Sequence, residues 1–173
     1  MEKQTVEKVD IPSGAMRNYE FRPLDYADAF RIKLGTDSDL SMTELAHQVF
    51  GKSESYPIYV RFLLWLRDLL VKPFGLLTAG DIEKTLDNDE WIGFFRVYQN
   101  SENEIIIGGD DRHLDVRVSL LRTMNDKTSF LTISTFVRLN NLLGKIYFAV
   151  IRHFHRIIVP DTIKKALGKQ IKT

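Results

Sequence analysis

The apolar positions of the chain change rhythm along its length, helical in the first half, alternating through the middle, and helical again at the end. Residues up to Met16 carry Pro12, Ser13 and Gly14 and no apolar period, which predicts a loosely ordered N-terminal segment over 1–16. Residues 17–173 read as a single domain. Tyr19, Phe21 and the run Ala27–Leu34 predict a first strand, although Asp25–Asp28 could equally open a helical turn. Gly35–Leu40 predicts a loop. Ser41-Met42-Thr43-Glu44 then has the capping-box pattern, in which a Ser hydroxyl and a Glu carboxylate satisfy the first free N–H groups of a helix. Met42, Leu45, Ala46 and Val49 follow at helical spacing, and Gly51 suits the position just past the helix end.

Pro57 predicts the first turn of a second helix that runs to Lys72 and stops at Pro73 and Gly75. It is apolar nearly all round, more than one buried stripe requires, so it is expected in a core, along a cavity, or against a partner or lipid surface. Charges at Arg61, Arg67 and Asp68 exclude a membrane span. From Trp91 the pattern becomes that of strands: Trp91–Tyr98, Glu104–Ile107, His113–Leu121 and Ser129–Leu139, with turns at Asn100–Asn103, Gly108–Asp111 and Asn125–Lys127. In the third of these, Leu114, Val116, Val118 and Leu120 take one face and His113, Asp115, Arg117 and Ser119 the other. The last element is a long helix from about Leu142 to Val159. Leu143, Ile146, Tyr147, Val150, Ile151, Phe154, Ile157 and Ile158 form its apolar face, and Pro160 marks its expected end, before a short Lys-rich helix. The fold class that follows is α+β, with about five strands in a curved antiparallel sheet gripping the C-terminal helix.

Composition narrows the functions. The 173 residues are 44% hydrophobic, which suits a globular core. No cysteine occurs, so disulfides, thiolate-bound zinc and a thiol nucleophile are excluded. Basic and acidic residues number 24 and 23, a balance that speaks against a nucleic-acid partner. The one basic run, Lys164, Lys165, Lys169 and Lys172, suits a helix C-terminus. No apolar run follows Met1, so no signal peptide is predicted and the cytoplasm is the expected compartment.

Few motifs carry chemistry. Gly51-Lys52-Ser53 resembles the end of a phosphate-binding loop, but Ala46 stands where that loop needs its first glycine. His153 and His155 are separated by roughly 200° around a helix and cannot share a metal. Asp111-x-His113-x-Asp115 would place a carboxylate beside an imidazole if all three share a strand face, as a general base would require. A plain solvated face explains the same pattern. No third and fourth ligand can be named, so no metal and no cofactor is expected.

Three stretches resemble a known family. They are Trp65-Leu66-Arg67-Asp68 through Pro73-Phe74-Gly75-Leu76; Ile92-Gly93-Phe94-Phe95 with Asp110-Asp111-Arg112-His113-Leu114-Asp115; and Leu143-Gly144-Lys145-Ile146-Tyr147 with Phe154-His155-Arg156. They are similar to the bacterial domain of unknown function family numbered 2867, over most of Asp25–Leu167. His153 stands where that family often has Pro, which leaves His155 as the matching histidine. The resemblance implies an element order like the START and polyketide-cyclase type of helix-grip fold, in which an apolar ligand sits between sheet and long helix. It also implies an oxidoreductase as a partner, since such domains occur fused to one. The expected function is then the binding of a small, largely apolar molecule, with His155, Tyr147, Val150, His113 and Asp111 as the residues that meet it. A cyclase, isomerase or hydrolase using His155 or His113 as general acid–base is the alternative, and whether the chain is an enzyme stays open. A third reading is a peripheral-membrane or protein-interaction module.

Overall fold

A computed structural model describes residues 5–15, 23–35, 40–51, 91–126 and 128–168. The helix expected over Pro57–Lys72, and the Tyr19 and Phe21 portion of the first strand, lie outside the described residues. The described chain forms one antiparallel sheet of seven strands in the order β1-β2-β7-β6-β5-β4-β3. The strands are β1 (Glu7–Val9), β2 (Tyr26–Lys33), β3 (Trp91–Ile92), β4 (Phe95–Asn100), β5 (Glu104–Asp110), β6 (Leu114–Asn125) and β7 (Thr128–Leu139). Helix α1 (Met42–Phe50) follows β2, and α2 (Leu142–Leu167) closes the chain. The sheet is curved and open, and the long helix lies on one face of it, an α+β fold of helix-grip form.

Seven strands replace the expected five because two of them are too short to show an alternation. β3 has two residues, and β1 has three, which extend the edge of β2 from within the N-terminal segment. The strands of the long hairpin also run further than the pattern suggested. β6 continues to Asn125, and Asp126, with φ 52°, turns the chain directly into β7. The turn expected at Gly108–Asp111 is instead strand up to Asp110. Gly108 pairs with Arg117 of β6, and the position takes a glycine because β6 passes too close for a side chain: an added Cβ would touch the Val116 carbonyl.

Ser41 caps α1 as its sequence predicts. The Ser41 hydroxyl accepts from the Glu44 N–H, and the Glu44 carboxylate accepts from the Ser41 N–H at 2.7 Å. Met42, Leu45, Ala46 and Val49 are all buried. They pack with Phe30, Ile32, Ile105, Leu120 and Leu131 on the concave face, joined there by Ile163 and Leu167 from the last turns of α2. One end of the concave face is therefore solid. β7 explains why it sits mid-sheet: Leu131–Val137 are buried without a break, so both faces of this strand are covered.

Pro160 does not end α2, which continues to Leu167. A proline inside a helix forfeits one backbone hydrogen bond and crowds the preceding turn. The lost partner here is the carbonyl of Arg156, an exposed residue whose oxygen water can serve. Ile163 and Leu167, each 1% exposed, supply the apolar burial that carries the helix past the proline.

Candidate functional site

The register of β2, β6 and β7 sorts side chains onto two faces. Tyr26, Asp28, Phe30 and Ile32 of β2 share the concave face with Thr135 and Val137 of β7 and Val116 and Val118 of β6. The first half of α2 lies over these residues without filling the ground beneath it. A space of about 360 Å³ remains, lined by Val116, Val118, Thr135 and Val137 from below and by Leu143, Tyr147, Phe148, Ile151, His155 and Ile158 from above. Phe50, Phe94 and Phe95 close it toward the solid core, and Asp111 and His113 stand at its other end. Its walls are overwhelmingly apolar, with a few polar groups among them.

Beside the space, His155 is held by a carboxylate that the sequence pattern did not single out. Asp28 is 5% exposed and sits at a strand position flanked on its own face by Tyr26 and Phe30. Its carboxylate takes two hydrogen bonds, from the Tyr26 hydroxyl at 2.6 Å to Oδ2 and from His155 Nε2 at 3.1 Å to Oδ1. Tyr26 packs edge-on against both Phe148 and His155, at centroid distances of 5.0 and 5.9 Å. Burial alone would raise the Asp28 carboxyl, but the hydrogen bond and charge of His155, reinforced by Tyr26, bring it below its ordinary value. Burial, then the hydrogen bond and charge of Asp28, push the Tyr26 phenol up to about 12, while the positive charge of Arg156 pulls the other way. The carboxylate is thus the fixed negative charge of the site, and Tyr26 stays a donor to it. A carboxylate on the apolar face of a strand, in Tyr26-x-Asp28-x-Phe30, is the signal that could have found this group.

His113 and Asp111 act at the opposite end. They belong to a tight turn between β5 and β6, not to a common strand face, and Asp115 reaches the turn only by accepting from the Asp111 N–H at 3.2 Å. Asp115 points to the convex side and binds Arg138 through Nε at 2.9 Å. The Asp111 carboxylate accepts from the His113 N–H at 3.2 Å. The turn is bound to the start of α2 by two asparagines. Asn140 donates its N–H to the His113 carbonyl at 2.9 Å, and Asn141 donates its side-chain amide to the Arg112 carbonyl at 2.9 Å. Asn141 also caps α2 by accepting from the Gly144 N–H at 3.0 Å, and its amide lies 3.0 Å from His113 Nδ1. Two expected site residues therefore also anchor the helix that roofs the space. Among the described residues, no three of His, Cys, Asp or Glu converge to hold a metal ion.

Of the five residues expected at the site, His155, Tyr147, His113 and Asp111 line the space. Val150 does not, and the expectation that it lies at the centre of the packed face is corrected: it is 45% exposed. Leu142, Ile146, Phe154 and Ile157 are exposed with it. The face turned to the sheet is Gly144, Tyr147, Phe148, Ile151 and His155, rotated from the one that periodicity indicated. Because α2 is apolar on most sides, hydrophobicity alone leaves its rotation undetermined. The close approach at Gly144 and the His155–Asp28 bond set it. His153 is exposed and stacks edge-on against Phe154, away from the space.

Fold and site together define an α+β sheet-and-helix protein with an apolar space beneath its last helix and one buried carboxylate–histidine pair at the edge of that space. The chain belongs to DUF2867, a family of proteins of unknown function, whose model matches residues 21–162. No curated protein and no solved structure matches the chain. No helix among the described residues is long and apolar enough to cross a membrane.

Proposed function

We propose that this protein binds a small, largely apolar molecule between the concave face of its sheet and α2, as helix-grip proteins of the START and polyketide-cyclase type do. The observation that carries the reading is the 360 Å³ space under the first half of α2, walled mainly by aliphatic and aromatic side chains with a few polar groups among them. Small-molecule sites have this makeup, and this one lies at the lower end of their usual range of roughly 300–1,000 Å³. A second reading, an enzyme using His155 as general acid–base, is favoured by one feature. Asp28 holds His155 as a carboxylate holds the histidine of a catalytic pair.

Native mass spectrometry of freshly purified protein tests the binding reading. The expected result is a retained small molecule that is lost on denaturation and absent from Ile151→Trp, whose indole would occupy the space below α2. That variant should melt no lower than the parent, since the added ring buries apolar surface without displacing packed atoms. A clear loss of stability by about 1–3 kcal/mol, with no molecule in either protein, would mean the ground is packed solid and the reading is wrong.

A further inference from the structure

The outer side of α2 carries an apolar ridge, and the charges beside that ridge are all of one sign. We infer that this side of α2 docks the protein onto an anionic lipid bilayer, with the helix lying in the plane of the headgroups. The inference stands apart from the binding reading above, which uses the inner side of the same helix.

Leu142, Ile146, Val150, Phe154 and Ile157 are 72, 58, 45, 40 and 64% exposed. At roughly 100° per residue they fall within one sector of about 120°, and at ~1.5 Å per residue they run for about 22 Å. Of the eight large apolar side chains exposed among the described residues, five stand on this ridge, so the exposure is concentrated and not scattered. Lys145, Arg152 and Arg156, all exposed, form a second row along one flank of it. Arg152 lies 6.0 Å from the centre of the Tyr26 ring and Arg156 acts on the same phenol, so this row follows the β2 side. None of the three enters an ion pair among the described residues. The helix has one carboxylate, Asp161, which lies past the ridge and pairs with Lys165 at 2.7 Å. Since the whole chain balances 24 basic against 23 acidic residues, the single-signed row is a local arrangement. A partner must be apolar against the ridge and negative beside it. A second copy of this chain meets the first demand but brings another basic row to the contact. A folded protein would have to offer five matching pockets to side chains that stand proud of the helix. A bilayer of acidic lipids adapts to any ridge, and takes such helices to a depth of roughly 5–10 Å while Lys and Arg reach up to its phosphates. His153 falls in the same sector and stacks edge-on against Phe154 at 5.8 Å; an imidazole, with its apolar body and polar tip, suits the headgroup level.

The test floats the intact chain with vesicles of phosphatidylcholine alone and of phosphatidylcholine and phosphatidylglycerol in equal parts. Three cations at about fivefold each give a preference for the anionic vesicles of up to about a hundredfold, which should vanish in about 1 M salt. Ile146→Gln with Ile157→Gln should weaken binding to them by about tenfold or more per residue. Lys145→Gln with Arg152→Gln should remove most of the preference for anionic lipid. All four positions are exposed, so these variants should melt with the parent. Because the chain has no cysteine, Val150→Cys accepts one polarity-sensitive fluorophore, whose emission should move to the blue only when anionic vesicles are added. A blue shift already present without vesicles overturns the inference: one lost on dilution assigns the ridge to a second copy, and one that persists assigns it to another part of the chain. Equal binding to both vesicles, or parent-like binding by the isoleucine variant, overturns it as well. No binding to either vesicle does the same and leaves the ridge to a protein partner.

Discussion

Replacing Gly144 by alanine should destabilise this protein, against the ordinary rule for helices. Gly144 lies in the first turn of α2, and in an isolated helix Gly→Ala gains about 1 kcal/mol. Here the backbone of the Asp111–His113 turn occupies the position of the side chain. A Cβ would stand 2.8 Å from the His113 carbonyl carbon and closer still to its oxygen, where carbon contacts normally settle at roughly 3.5–4.0 Å. Neither partner is the end of a flexible side chain, so the helix must move away from the turn by about an ångström to restore that spacing. The bonds from Asn140 to His113 and from Asn141 to Arg112, both 2.9 Å, span this joint and would stretch past useful length. Two such bonds contribute about 2 kcal/mol, and the residual strain of overpacking adds about 1–3 kcal/mol. Offset against the helical gain, the net loss is about 2–4 kcal/mol. For a chain of this size that lowers the melting temperature by roughly 4–16 °C. Urea unfolding and thermal melting, followed by circular dichroism, measure it. Gly109→Ala is the control: nothing lies within 4 Å of its added Cβ, and removing a flexible strand glycine should be neutral or stabilising by up to about 1 kcal/mol. Gly144→Ala melting at or above the parent would refute the close approach. It would also remove the reason for placing Asp111 and His113 at the end of the space.

Two further outcomes follow from the same side chains. Tyr26, with its phenol at about 12 instead of 10.0, keeps its proton in the folded chain after the unfolded chain has lost it, so its stabilisation is complete below pH 10.0 and drains away up to about 12. Unfolding curves across that window should fall steeply for the parent and less so for Tyr26→Phe; identical slopes would show that Tyr26 is not held by Asp28. His155→Gln should weaken retention of the molecule bound under α2, by up to about tenfold for one lost polar contact, while His153→Gln, altering an exposed ring, should leave it unchanged. Equal losses in the two variants would count against His155 as the docking residue.

Much of the fold was legible because its signals are local. The capping box at Ser41 and Glu44 acts across three positions, so its residues alone predict the helix start that the structure contains. The alternation through Leu114, Val116, Val118 and Leu120 predicts which side of β6 is apolar, because neighbouring strand residues must point apart. The sequence also identified His155 and Tyr147, through a family resemblance and a helical period. It could not orient them. α2 is apolar around most of its circumference, so its rotation depends on contacts made elsewhere: Gly144 against the His113 carbonyl, and His155 against Asp28. The latter joins residues 127 positions apart. Asp28 itself reads as one charge in a short acidic run until β2 pairs with β7 and turns it inward beside Tyr26. The same limit explains Pro160, whose local rule ends a helix, while the burial of Ile163 and Leu167 against α1 and the sheet extends it. Periodicity and capping act within a few residues and are carried by the sequence itself. The rotation of a uniformly apolar helix, and the partner of a buried carboxylate, are settled only when strands and helices distant in sequence come into contact.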